Sequence, residues 1–285
     1  MAISNAQTGA APASATSQSS PLVMRIIGAV ALAHLINDLI QSVLPSIYPM
    51  LKANYGLTFT QVGLITLTFQ LTASLLQPWV GYHTDRHPKP WLLPAGSVCT
   101  LIGILMMSVV GSFPMILLAA ALIGIGSSTF HPEASRVARL ASGGRFGLAQ
   151  STFQVGGNAG SAFGPLLAAA IIIPFGQGHV AWFGLFAVFA LFVLHRISRW
   201  YANHLNLFKL KQGQAATHGL SKGRVTGALV VLGLLVFSKY FYMSSLTSYY
   251  TFYLIEKFDL SVASSQLHLF LFLGAVAAGT FFGGP

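Results

Sequence analysis

Gly81-Tyr-His-Thr-Asp85-Arg86-His-Pro-Lys89 is a short polar break between two apolar runs, Phe59 to Tyr82 and Trp91 to Gly111. Each run is long enough to carry a helix across ~30 Å of hydrocarbon. The same rhythm extends outward in both directions. Further runs span Leu22 to Leu51, Phe113 to Ser135, Phe146 to Ile173, Val180 to Ile197, Val225 to Ile255 and Val262 to Gly284. None shows the period-two alternation of a barrel strand, so the runs read as eight transmembrane helices.

Composition agrees. Of 285 residues, 7% are charged and 54% hydrophobic, against about 25% charged in a typical soluble domain. Mean hydropathy is +0.69. Fifteen Lys/Arg and five Asp/Glu cannot cover a water-facing surface of this size. That excludes a soluble enzyme, a nucleic-acid-binding module and a disordered tail protein. Cys99 is the single cysteine, so neither an intramolecular disulfide nor a cysteine-based metal cluster is expected.

The charges mark topology. Arg25, Arg86, Lys89, Arg136, Arg139, Arg145, Arg196, Arg199, Lys209, Lys211, Lys222 and Arg224 all fall on one side of the eight runs. The other side holds Lys52 and Lys257, and Lys239 lies within a run. By the positive-inside rule, the first side and the N-terminus are cytoplasmic. The net charge of +10 thus faces anionic lipid, not nucleic acid. Residues 1–20 are small and polar, without the basic start or apolar core of a secretory signal, and read as a disordered tail.

Tyr55-Gly-Leu-Thr58 before the second run resembles Phe258-Asp-Leu-Ser261 before the eighth, 203 positions later, and the same offset carries Gly81 to Gly284. A repeat at that distance predicts two parallel halves, as in many transporters. The expected organisation is a six-helix bundle over 21–199, a basic linker over 200–224, and the first two helices of a second bundle over 225–285. Matching the first half would take about four further spans, on the order of 120 residues. Chance similarity of two four-residue stretches is the alternative.

The stretch quoted first resembles the signature loop of the major facilitator superfamily, G-x-x-x-D-[RK]-x-G-[RK], between its second and third helices, with Pro88 in place of the usual glycine. The resemblance implies an all-α, polytopic fold of twelve helices, about eight of them present. It also implies that Gly81, Asp85, Arg86 and Lys89 form a gating latch between two halves. Elementary physics assigns Gly81 to a close helix approach and Asp85 to a helix N-terminus or a nearby arginine.

His34-Leu-Ile-Asn37-Asp38-Leu-Ile-Gln41, Phe130-His131-Pro132-Glu133, Gln154-Val-Gly-Gly-Asn158 and Phe237-Ser-Lys239-Tyr240-Phe241-Tyr242 further resemble the drug-efflux branch of that superfamily. Gly160-Ser-Ala-Phe-Gly164-Pro165 resembles its antiporter signature, with Ala168 and Ala169 replacing the final glycines. The resemblance implies proton-driven export of fosmidomycin-like drugs, small and anionic or polar, across a bacterial inner membrane. It implies no cofactor and no metal, and a monomer in the bilayer.

An ionisable group at membrane depth costs about 2.5–3.5 kcal/mol on insertion scales, so each such group needs a reason. His34, Asp38 and Gln41 share one helical stripe at i, i+4 and i+7. Burial disfavours a charged carboxyl, which suits Asp38 as the proton-coupling group with His34 as its relay. A packed polar pair is the structural alternative. Glu133 either joins the coupling or pairs with Arg136 at i+3. His131, Gln154 and Asn158 are candidate walls of a substrate cavity, whereas Gly156, Gly160 and Gly164 form a close-packing stripe. Lys239 is the natural partner for a phosphonate, with Tyr242, Tyr249 and Tyr253 on its face. The repeat places Lys239 level with Ile36, at nearly the depth of Asp38 but on about the opposite helix face. Either the two helices are rotated differently or Lys239 and Asp38 do not both line the cavity, with a salt bridge between them as the structural alternative.

No H-E-x-x-H, G-x-S-x-G or Walker loop occurs, which argues against an enzyme or a primary pump. A proton-coupled secondary transporter is the leading expectation. A facilitator, channel or receptor on the same fold is the alternative.

Overall fold

The computed structural model describes residues 22–205 and 221–283. Among them every regular element is helical, and eight helices are long and apolar enough to span a membrane. These are α1 (Met24–Ser46), α2 (Phe59–Arg86), α3 (Leu92–Val109), α4 (Phe113–Ala141), α5 (Phe146–Phe175), α6 (Gln177–Asn203), α7 (Lys222–Phe258) and α8 (Val262–Phe282). The expected tail and residues 206–220 of the expected linker lie outside the described residues.

Apolar side chains cover much of the outside. Leu75, Trp79, Val109, Leu185 and Phe192 are all exposed, as lipid-facing positions must be when hydrocarbon is the solvent. The interior is held by close helix pairs. α1 packs mainly on α5 and α3 on α4, while α6 closes against α1 and α3. The stripe of Gly156, Gly160 and Gly164 lets α5 lie directly against α1. A Cβ at these positions would strike the Ala31 carbonyl, the Leu35 carbonyl and Ser42 respectively. α7 and α8 join along one side, where α8 packs on α5.

The first apolar run is divided. α1 ends at Ser46, and a separate helix, Tyr48–Tyr55, follows, with Pro45 and Pro49 each removing a backbone donor at the break. Gly56 ends that helix in the left-handed region at φ 59°, ψ 34°. Thr58 then caps α2 through a reciprocal bond with Gln61. The turn before α8 repeats this geometry. Asp259 sits at φ 50°, ψ 31°, and the Ser261 hydroxyl accepts from the Ser264 amide. The two similar sequences thus make one kind of turn, a left-handed stop followed by a hydroxyl cap.

At this end of the bundle the two parts of the chain are stitched together. Gln266 Nε2 donates to the buried Ser46 carbonyl at 2.7 Å. Tyr48, Thr66 and Ser248 link hydroxyl to hydroxyl at 2.9 and 3.4 Å. At the opposite end, which carries the basic links, the first half of α7 is exposed.

Candidate functional site

A cavity of about 760 Å³ lies between α1, α2, α4 and α5 on one side and α7 and α8 on the other. That is ample for a drug-sized ligand. Its wall includes His34, Asp38, Gln41, His131, Gln154, Asn158 and Lys239. Asp38 and Lys239 therefore line one space, and the two imidazoles lie within ion-pairing distance of Asp38.

The Asp38 carboxylate is the centre of a dense network. Its Oδ2 is 3.3 Å from His34 Nε2, one turn away on α1. Its Oδ1 is 3.5 Å from His131 Nε2 on α4 and accepts from Asn37 Nδ2 at 3.1 Å and Gln41 Nε2 at 3.4 Å. Backbone carbonyls settle the histidine tautomers, because a carbonyl only accepts. His34 Nδ1 lies 2.7 Å from the Phe153 carbonyl, and His131 Nδ1 lies 3.0 Å from the Ser127 carbonyl. Both Nδ1 atoms carry hydrogen, and both Nε2 atoms turn toward Asp38. The Ser127 hydroxyl donates to Gln41 Oε1 at 3.1 Å, which leaves the amide of Gln41 free to donate to the carboxylate.

Ring packing fixes His34. It stacks on Phe153 at 4.0 Å between centroids and touches Phe130 at 5.7 Å. Asp38 and His131 keep 18% and 25% exposure, against 2% for His34. The cavity therefore reaches the carboxylate and one imidazole while the other imidazole is sealed. Deeper along the wall, Gln154 donates to Asn158, which donates in turn to Thr280 of α8 at 2.8 Å.

Glu133 is elsewhere. It shares α4 with His131, but two residues turn a helix by about 200°, so the two side chains face apart. Glu133 is fully buried and bonds Arg136 Nη1 at 2.6 Å. The same guanidinium reaches Asp85 Oδ1 at 2.5 Å and Thr84 Oγ1 at 3.1 Å, tying the end of α2 to α4. The i+3 pairing alternative describes this geometry. The stretch around Asp85 is also less of a loop than its sequence suggests. Gly81, Asp85 and Arg86 occupy the last turns of α2, and only residues 87–91 connect to α3. Arg86 stacks on Tyr82 at 3.9 Å, and Lys89 is exposed. Gly81 is not at a tight crossing, since a Cβ there would meet Pro132 at an ordinary 3.7 Å.

Tyr242 is off the cavity. The lining face of α7 runs through Val236, Tyr240, Met243, Thr247 and Ser248. At about 100° per residue, Lys239 sits at the edge of that face and Tyr242 falls on the far side, largely exposed. Tyr240, Ser244, Thr247 and Ser248 are the polar lining groups of α7 to which the sequence alone assigned no role. Their signal was a helical stripe centred one residue beyond Lys239.

Residues 30–285 match the sequence profile of the Major Facilitator Superfamily. The chain belongs to that superfamily. It is 56% identical over 285 residues to the fosmidomycin resistance protein of Escherichia coli (strain K12), covering 100% of this chain and 70% of that protein. It is 40% identical over 267 residues to the uncharacterized MFS-type transporter YfnC of Bacillus subtilis (strain 168), covering 92% of this chain and 65% of the relative. Among solved structures it resembles a bacterial homolog of the human lysosomal transporter Spinster, inward-facing and occupied. The TM-score there is 0.70 at 17% identity, over 93% of this chain and 61% of that one. That likeness shows the major facilitator fold. The chain spans less than two thirds of the length of that structure.

Proposed function

We propose that this major facilitator protein is a secondary transporter that exports small anionic or polar drugs of the fosmidomycin type by proton antiport. It works by alternating access across a bacterial inner membrane, with the basic links and the N-terminus in the cytoplasm. The proton-binding unit is Asp38 with His34 and His131. Lys239, Gln41, Gln154 and Asn158 contact the drug, and Asp85 with Arg136 and Glu133 belongs to the latch.

The observation that carries this reading is the convergence of two Nε2 atoms on the Asp38 carboxylate at the wall of the cavity. With both Nδ1 atoms already protonated, neutral imidazoles would face the carboxylate as acceptors. A proton added to the cluster turns such a contact into a hydrogen bond. The three groups then exchange protons as one coupled unit, in a space a substrate also enters. The substrate class draws on the 56% identity to the fosmidomycin resistance protein and on the ammonium of Lys239 in the cavity.

The test is movement of labelled fosmidomycin in vesicles under an imposed pH gradient. Accumulation beyond equilibrium, abolished by a protonophore, is the expected result. Simple equilibration would identify a facilitator or channel instead.

A further inference from the structure

Two imidazole nitrogens and a carboxylate that converge on one point can be held together by a metal ion as well as by protons. We infer that Asp38, His34 and His131 form a binding site for a divalent transition-metal ion of the zinc class, held by two Nε2 atoms and a carboxylate oxygen with its remaining positions open to the cavity. The inference rests on these three side chains and stands whether or not the protein moves drugs.

Orientation is the first support. Metal-ligating histidines almost always donate their second ring N–H to a carbonyl or carboxylate, which fixes the tautomer and aims the lone pair. Both imidazoles have this arrangement, with Nδ1 on the Phe153 and Ser127 carbonyls. The carboxylate has its own support from Asn37 and Gln41.

Spacing is the second. The Nε2–oxygen separations of 3.3 and 3.5 Å exceed the ~2.7–2.9 Å of charge-assisted hydrogen bonds. Each is close to the ~3.3 Å edge of a tetrahedron whose metal–ligand bonds are ~2.0–2.1 Å. His34 faces Oδ2 and His131 faces Oδ1, so the carboxylate closes the set by turning one oxygen to the ion or by offering both. Ligand atoms from all three residues lie within 4.8 Å of one another, so small side-chain movements close the set around one ion.

Chemistry and access complete the case. Two imidazoles and one carboxylate suit zinc, copper, nickel or iron better than magnesium or calcium, which prefer all-oxygen sites. Three protein ligands leave a coordination position for water or a ligand oxygen, unlike the closed four-ligand sites that hold folds together. The exposed edges of His131 and Asp38 give an ion a route from the cavity.

The test uses untagged, detergent-purified protein stripped with a chelator, titrated with Zn²⁺ by calorimetry and with Co²⁺ by visible absorption. One ion per chain is expected, with Co²⁺ bands typical of a low-coordinate nitrogen and oxygen site. His131→Ala and Asp38→Asn should each weaken binding at least as much as the ~10–100-fold that loss of an outer-shell partner costs. His83→Ala, at an exposed histidine outside the cavity lining, should leave it unchanged. Helical circular dichroism and gel filtration establish that each variant is folded, and His131→Ala alone decides if Asp38→Asn is not. Absence of a stoichiometric ion in the folded wild type overturns the inference. So does equal affinity in the wild type and the folded variants. Because binding is read directly, a protein that holds zinc without transporting fosmidomycin would sink the transport reading alone.

Discussion

Gly157 on α5 lies so close to the His34 imidazole on α1 that a Cβ added there would overlap the ring. It would also press on Oδ2 of Asp38. The missing side chain is what allows an imidazole and a carboxylate to sit together at this helix crossing. Gly157→Ala should therefore displace the cluster, and overpacking of this kind costs about 1–3 kcal/mol. A lowered thermal midpoint together with loss of pH-driven transport is expected. A variant that matches the wild type in both would show that the crossing yields easily.

Asp38→Asn keeps the shape of the side chain and removes its charge. Proton-driven efflux should be lost while most substrate binding remains. Transport under a pH gradient and equilibrium binding, measured on the same preparation, separate the two. Equal loss of both would remove Asp38 from coupling.

Arg136 holds a fully buried Glu133 and reaches across to Asp85. Arg136→Ala strands a buried carboxylate, for which about 3–5 kcal/mol of destabilisation is expected, read as a large fall in thermal midpoint. Adding Glu133→Gln should recover part of it. Gly81→Ala, by contrast, should be nearly neutral, because the new methyl group meets Pro132 at ordinary contact distance.

Lys239→Ala should weaken binding of a phosphonate more than that of a neutral drug. Tyr242→Ala should change neither, since that ring lies off the cavity. Competition binding with one anionic and one uncharged ligand checks both expectations.

The eight spans were legible because lipid demands long apolar runs, and their helices fall within about two turns of the expected limits at each end. The stripe of His34, Asp38 and Gln41 was equally plain, being a matter of spacing within one helix. The partner contributed by α4 was not. His131 and Glu133 are near neighbours in sequence, and nothing local says which turns toward α1 and which toward α2. Only the packing of α4 against both decides it. The face of α7 was misjudged for a related reason. Centring it on the charged Lys239 placed Tyr242 inside, whereas the cavity is centred on Tyr240 and Met243, with the lysine at its margin. A charge is conspicuous in a sequence, but small polar and apolar groups set the axis of a helix face.

The seam at the end away from the basic links has a mechanical meaning. Gln266 with the Ser46 carbonyl, and Ser248 with Thr66, are neutral contacts, each worth about 1 kcal/mol net, and no ion pair among the described residues reinforces them there. In the proposed alternating-access cycle, a seam fastened this lightly would open and reseal at small expense. By contrast, the Arg136 cluster at the other end ties α2 to α4 within the first bundle, so the charged bonds brace one bundle internally while only neutral ones cross the seam to α7 and α8.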